Sequence, residues 1–120
     1  MDLFTSEDDG VTWSEPNRVT QKNEINGHLA RLNDRRLILA YGNRIKAGNQ
    51  YGVLAKFSSD EGKTWGEPIR IDFTKTNDCG YPSTVQRADG KLVTAWYSGT
   101  SEYHSRYHMG VAIWEAPAAK

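Results

Sequence analysis

The sequence predicts an all-β chain built from a repeated unit of about fifty residues. Three observations carry this. An eight-residue pattern occurs twice, at 6–13 and at 58–65. Short apolar runs alternate with turns rich in Gly, Asp and Asn, as strands do. No stretch shows the spacing of an amphipathic helix.

The repeat extends past the pattern itself. Ser6, Asp8, Gly10, Thr12, Trp13, Glu15, Pro16 and Arg18 recur as Ser58, Asp60, Gly62, Thr64, Trp65, Glu67, Pro68 and Arg70, always 52 residues on. Eight matches in one register are not two unrelated turns. Ser and Asp side chains bond nearby backbone amides and fold a loop over itself. The glycines supply a conformation that a Cβ obstructs. Trp13 and Trp65 are expected to be buried as the chain enters the next strand. Pro16 and Pro68 suit an outer strand that needs no full ladder.

Taken in order, residues 2–5 read as the end of a strand and 14–20 as an outer strand. Residues 21–27 read as a loop, closed by Gly27. Strands follow at 28–32, 36–41, 51–57 and 67–73, the second carrying the continuous run Leu37-Ile38-Leu39-Ala40 of a strand covered on both faces. A loop at 74–80 leads to strands at 81–87, 91–97 and 107–114, and 115–120 read as a tail. The units are therefore 1–20, the end of one blade-like sheet; 21–73, a complete one; and 74–114, a three-stranded one. Fifty residues is the scale of a propeller blade, and propellers close with at least four.

Lys+Arg and Asp+Glu balance at 15 each, which gives no general affinity for nucleic acid or membrane. No apolar run is long enough to span a bilayer. The single Cys79 makes no internal disulfide, so the sequence carries no compartment signal. His28, His104 and His108 lack metal-ligand spacing, and no glycine-rich phosphate loop is present, so neither a metal nor another cofactor is expected.

The pattern Ser-x-Asp-x-Gly-x-Thr-Trp resembles the Asp-box, or BNR repeat, of sialidases and related β-propellers. The resemblance covers nearly the whole chain. It implies about two blades of four-stranded antiparallel sheet, from the C-terminal portion of a six-bladed sialidase-type propeller. In that family the box is a folding device, placed away from the active site. Strand order puts the longer polar loops on the opposite face, with Arg44, Asp78, Tyr81, His28, Glu24 and Glu102.

Gly80-Tyr81-Pro82-Ser83-Thr84-Val85, followed by Asp89-Gly90-Lys91-Leu92, is similar to the sialidase segment that carries the nucleophilic tyrosine. The resemblance implies Tyr81 as that nucleophile. A phenol suits the task, because a carboxylate nucleophile is repelled by the carboxylate of a sialic acid. The other reading is a Tyr packed at the start of an inner strand. The family also clamps the substrate carboxylate with arginines. At the nearest equivalent position this chain has Gln50-Tyr51, and Arg44 of the same loop is the candidate anion contact. Asp78 and His28 are the further substrate-binding candidates. The implied function is a fragment of a retaining, sialidase-like glycoside hydrolase, inactive alone. The alternative is a non-catalytic carbohydrate-binding or interaction propeller. The expected partner is a glycan, with self-association through open blade edges.

Overall fold

A computed structural model describes residues 1–46, 48 and 51–119. Its strands are β1 (Asp2–Leu3), β2 (Asn17–Arg18), β3 (Glu24–Arg31), β4 (Leu37–Asn43), β5 (Gly52–Ser58), β6 (Ile69–Phe73), β7 (Cys79–Gln86), β8 (Leu92–Ser98) and β9 (His108–Trp114). They form three antiparallel sheets in chain order: sheet 1 from β1 and β2, sheet 2 from β3 to β6, and sheet 3 from β7 to β9. There is no α-helix among the described residues.

Sheet 2 lies between the other two, and this explains its apolar run. Every residue of β4 is buried. On one face Leu39, Tyr41 and Leu54 pack with Val19, and with Met1 and Leu3 of the sheet 1 end. On the other, Ile38, Ala40 and Ala55 pack with Leu92, Phe57 and Trp114. Sheet 3 has only one covered face. Along β8 and β9 burial alternates residue by residue, as a half-covered antiparallel sheet requires.

The inner strands begin earlier than the sequence suggests, at Glu24 and Cys79 instead of His28 and Tyr81. Both carry a bulge, where pairing shifts between Ile25 and His28 and between Gly80 and Ser83. Bulges use the polar and glycine residues that also mark loops, so these stretches look like loops in the sequence. The outer strands are shorter than expected, each beginning just after its proline, which has no N–H to give a ladder. The first strand likewise ends at Leu3. The C-terminal tail is docked: Ala116 packs on the core and Arg36 Nη1 donates to the Pro117 carbonyl at 2.8 Å.

The two boxes have matching hydrogen bonds. In the first, Ser6 Oγ accepts from Gly10 N at 2.8 Å, and Asp8 accepts from Thr12 N at 2.8 Å and Thr12 Oγ1 at 2.6 Å. In the second, the same bonds to Ser58 and Asp60 measure 2.9, 2.9 and 2.5 Å. Each indole N–H donates to its box glycine carbonyl at 3.1 Å. The expected burial of both tryptophans is not what the structure shows. Trp65 is half-buried under sheet 1, whereas Trp13 is 62% exposed, because no described residue of a neighbouring sheet covers the first box.

Candidate functional site

Strand register decides which residues meet. Ser58, where β5 runs into the second box, is at one end of sheet 2. The other end of β5, Gly52, pairs with Asn43 and Phe73. Arg44 therefore leaves the sheet opposite the box. Cys79 lies at that same end, its buried Sγ 3.7 Å from the Gly52 carbonyl. A Cβ on Gly42 would stand 3.1 Å from Gly80 Cα. Glycine at both positions lets β4 and β7 approach this closely, and so brings Arg44 to the start of β7.

Asp78 is the centre of what assembles there. Tyr97 donates its hydroxyl to Asp78 Oδ1 at 2.6 Å, and Tyr107 donates to Oδ2. Arg44 Nη2 donates to the Tyr97 hydroxyl at 3.0 Å, and Nε and Nη2 donate to the Cys79 carbonyl at 3.2 and 3.1 Å. The Tyr97 ring contacts two others, Tyr81 at 5.7 Å and Tyr107 at 6.4 Å between centroids. The result is a row of three tyrosines with a carboxylate and a guanidinium beneath.

The electrostatics separate the roles. The Tyr107 hydroxyl, then that of Tyr97, holds the Asp78 carboxyl below the usual carboxylate range. Conversely, the hydrogen bond to Asp78, followed by burial, pushes Tyr97 up to about 12. The same bond raises Tyr107. Asp78 is thus a fixed acceptor, and both phenols stay protonated donors at neutral pH.

Tyr81 differs from its neighbours. It is 66% exposed, and its hydroxyl has no hydrogen bond among the described residues. Its backbone has φ 46°, a left-handed conformation that costs a bulky residue energy. The bulge between Gly80 and Ser83 imposes it. Tyr81 therefore sits inside the strand, in a bulge, and not at its first position.

The remaining expected residues are placed differently. His28 is half-buried on β3 opposite Ala40, and its Nδ1 accepts from Thr84 N at 3.2 Å, tying β3 to β7. That bond goes to strand backbone and not to Asp78 or the tyrosines. Glu24 is buried, with Oε2 accepting from Gln21 N at 2.7 Å. Gln50 lies outside the described residues. Tyr97 and Tyr107 were not singled out by the sequence. The available signal was the placement of Tyr97 at the end of one strand and Tyr107 at the start of the next, on the same side as Asp78.

Residues 1–114 match the family described as the BNR repeat-like domain. The chain belongs to that family. Its repeat is the sialidase-type Asp-box, and its architecture is the β-propeller, of which these three antiparallel sheets form a part. No curated protein and no solved structure matches the chain.

Proposed function

We propose that this BNR-family chain carries the nucleophile-bearing part of a sialidase-like, retaining glycoside hydrolase, with Tyr81 as nucleophile. Residues 1–20, 21–73 and 74–114 are then parts of successive blades. The observation that carries the reading is Tyr81 itself: a tyrosine held in a strained bulge, exposed, with an unengaged hydroxyl beside an ordered polar cluster. Strain of this kind concentrates at functional sites. Tyr97 and Tyr107 offer aromatic faces to a sugar ring, and Arg44 and Asp78 fix them. In the reaction the Tyr81 oxygen attacks the anomeric carbon as the bond to the aglycone oxygen breaks; the phenol proton passes to a carboxylate, a general acid protonates the departing oxygen, and water then releases the sugar from Tyr81. None of the described residues places a carboxylate in hydrogen bond with that hydroxyl, so the 120-residue chain alone is expected to bind without hydrolysing.

The same fact favours a second reading, a glycan-binding propeller without chemistry. One pair of measurements separates them. The labelled chain, titrated with methyl sialosides and neutral methyl glycosides, should show shifts at Tyr81, Tyr97 and Tyr107. No shifts at these tyrosines with any glycoside would remove both readings. In a protein carrying the complete propeller, Tyr81→Phe should cut sialoside hydrolysis by roughly 10³-fold or more. Undiminished hydrolysis would make Tyr81 a packing residue.

A further inference from the structure

We propose that the space between sheets 2 and 3, beside Trp96 and Asp72, is a second carbohydrate site, which takes the hydroxyls of a neutral sugar ring. It is distinct from the row of tyrosines and does not rest on the reading of Tyr81. The chain has four tryptophans, and three of them donate their N–H: Trp13 to the Gly10 carbonyl, Trp65 to the Gly62 carbonyl, and Trp114 to Thr94 Oγ1 at 3.0 Å. Trp96 is the exception. It is 5% exposed, and its Nε1 is buried without a hydrogen-bond partner among the described residues. Leaving a buried donor unpaired is costly, and such a group in a native fold marks a place for a water or a ligand.

The fold aims a carboxylate at this indole. In sheet 2 the pairing of β6 shifts between Val53 and Leu54, which leaves Ile71 as an extra residue. Arg70 stands opposite Leu54, on the face toward sheet 1, and Asp72 stands opposite Val53, on the face toward sheet 3. In a regular strand residues two apart share a face, so it is the bulge that turns Asp72 away from the Arg70 side. From sheet 3, Gly110 of β9 makes room for the indole: a Cβ there would stand 2.4 Å from Trp96 Cε2 and 2.7 Å from Nε1. Burial pushes the Asp72 carboxyl up, and the nearby Trp96 N–H and His108 work against that. Trp96 and Asp72 thus face each other, yet no hydrogen bond joins them.

What fits between them must accept from an N–H and donate to a carboxylate, and a hydroxyl does both. His108 adds a second acceptor. Its Nδ1 lies 2.8 Å from the Arg106 carbonyl, which only accepts, so in the neutral ring Nδ1 carries the proton and Nε2 the lone pair. The cavity that these groups line holds about 850 Å³, against roughly 30 Å³ for a water molecule, and is of the size of small-molecule sites. Phe73 and Tyr103 also line it, and at 62% and 84% exposure they offer ring faces to a sugar. All of these groups belong to sheets 2 and 3 and to the loop between β8 and β9, so the gap lies between two sheets that face each other within the chain. Trp96 and Tyr97 are neighbours in β8 and project to opposite faces of sheet 3, which sets this site and the tyrosine row back to back.

Titrating the isotope-labelled chain with methyl β-galactoside, methyl β-glucoside and methyl α-mannoside tests this through the indole N–H signals, with Trp96 identified by its loss in Trp96→Phe. The Trp96 signal should move and saturate with at least one of these glycosides. Those of Trp13 and Trp65, closed on their box glycines, should stay in place. Asp72→Ala should weaken that binding roughly tenfold or more and leave the signals of Tyr81, Tyr97 and Tyr107 as they were. Backbone amide exchange checks that the variant folds, and the unaltered chain gives the first result without it. A Trp96 signal that none of the glycosides moves means that the gap holds water only, and overturns the proposal. So does full affinity in Asp72→Ala. Movement at Trp96 with none at the tyrosines supports this site and removes the tyrosine row as a glycan site; movement at the tyrosines alone does the reverse.

Discussion

The first and second Asp-boxes have the same internal bonds and different neighbours. Ser, Asp, Thr and Trp make the same contacts in both, within 0.1 Å. Yet Gly62 touches Leu3 and Trp65 belongs to the core beside sheet 1, while Gly10 and Trp13 touch little beyond their own loop. The turn is therefore built by local side-chain-to-backbone bonds and needs no packing to hold its shape. Packing is a second layer that a neighbouring sheet adds. The box is a docking point for an adjacent sheet as much as a turn.

The largest break between the two comes from the tryptophans. Trp65→Ala should cost about 3 kcal/mol, through lost apolar burial and the space left beside Leu3 and Leu54. Trp13→Ala should cost about 0.5–1 kcal/mol, mainly its bond to the Gly10 carbonyl. Equal shifts in denaturation midpoint would mean that the first box is packed after all. The glycines give a smaller contrast. Gly10 and Gly62 both have positive φ, 88° and 82°, so Ala at either position costs about 1–2 kcal/mol from the backbone alone. Gly62→Ala adds the displacement of Leu3, roughly a further 1 kcal/mol. If the two variants unfold alike, the contact of Leu3 with the second box is not tight.

The boxes were the most legible part of the chain. A pattern such as Ser6, Asp8, Gly10 and Thr12 makes its own bonds, so sequence spacing determines structure directly. The all-β reading followed from the strand periods, and Leu37-Ile38-Leu39-Ala40 showed a sheet covered on both faces. What the sequence hid was context. Trp13 and Trp65 stand in the same pattern, and only the position of sheet 1 makes one exposed and the other half-buried. Asn26 and Gly80 read as loop residues because a bulge uses the same residue types as a turn. In the candidate site, Arg44 and Asp78 were found from their loops, and Tyr81 from the resemblance of its segment to a sialidase one. Tyr97 and Tyr107 were not, because their roles depend on ladder pairing that brings Asp78 between them. His28 was expected at a strand start as a substrate-binding candidate, and its bond to the Thr84 N–H, which links two inner strands, has no sequence signal.

The smallest contrast expected between the boxes concerns pH, and here the prediction is that they behave alike. Asp8 and Asp60 are each held at about 2, against an ordinary 3.8. In each the largest cause is the threonine hydroxyl, Thr12 or Thr64, followed by that residue's backbone N–H and then the serine. All of these donors belong to the box itself, so the exposure of Trp13 does not enter. A depressed carboxyl binds fewer protons folded than unfolded. Its stabilising effect is therefore complete above the unfolded value near 4 and is lost as pH falls toward 2. Following the carboxyl carbons of Asp8 and Asp60 by NMR through that window should give two curves with one midpoint. Thr12→Val should move the Asp8 midpoint up and leave Asp60 in place. If Asp60 instead titrates lower than Asp8 by about one pH unit or more, sheet 1 contributes to the electrostatics of the second box, and the separation of local bonding from packing fails.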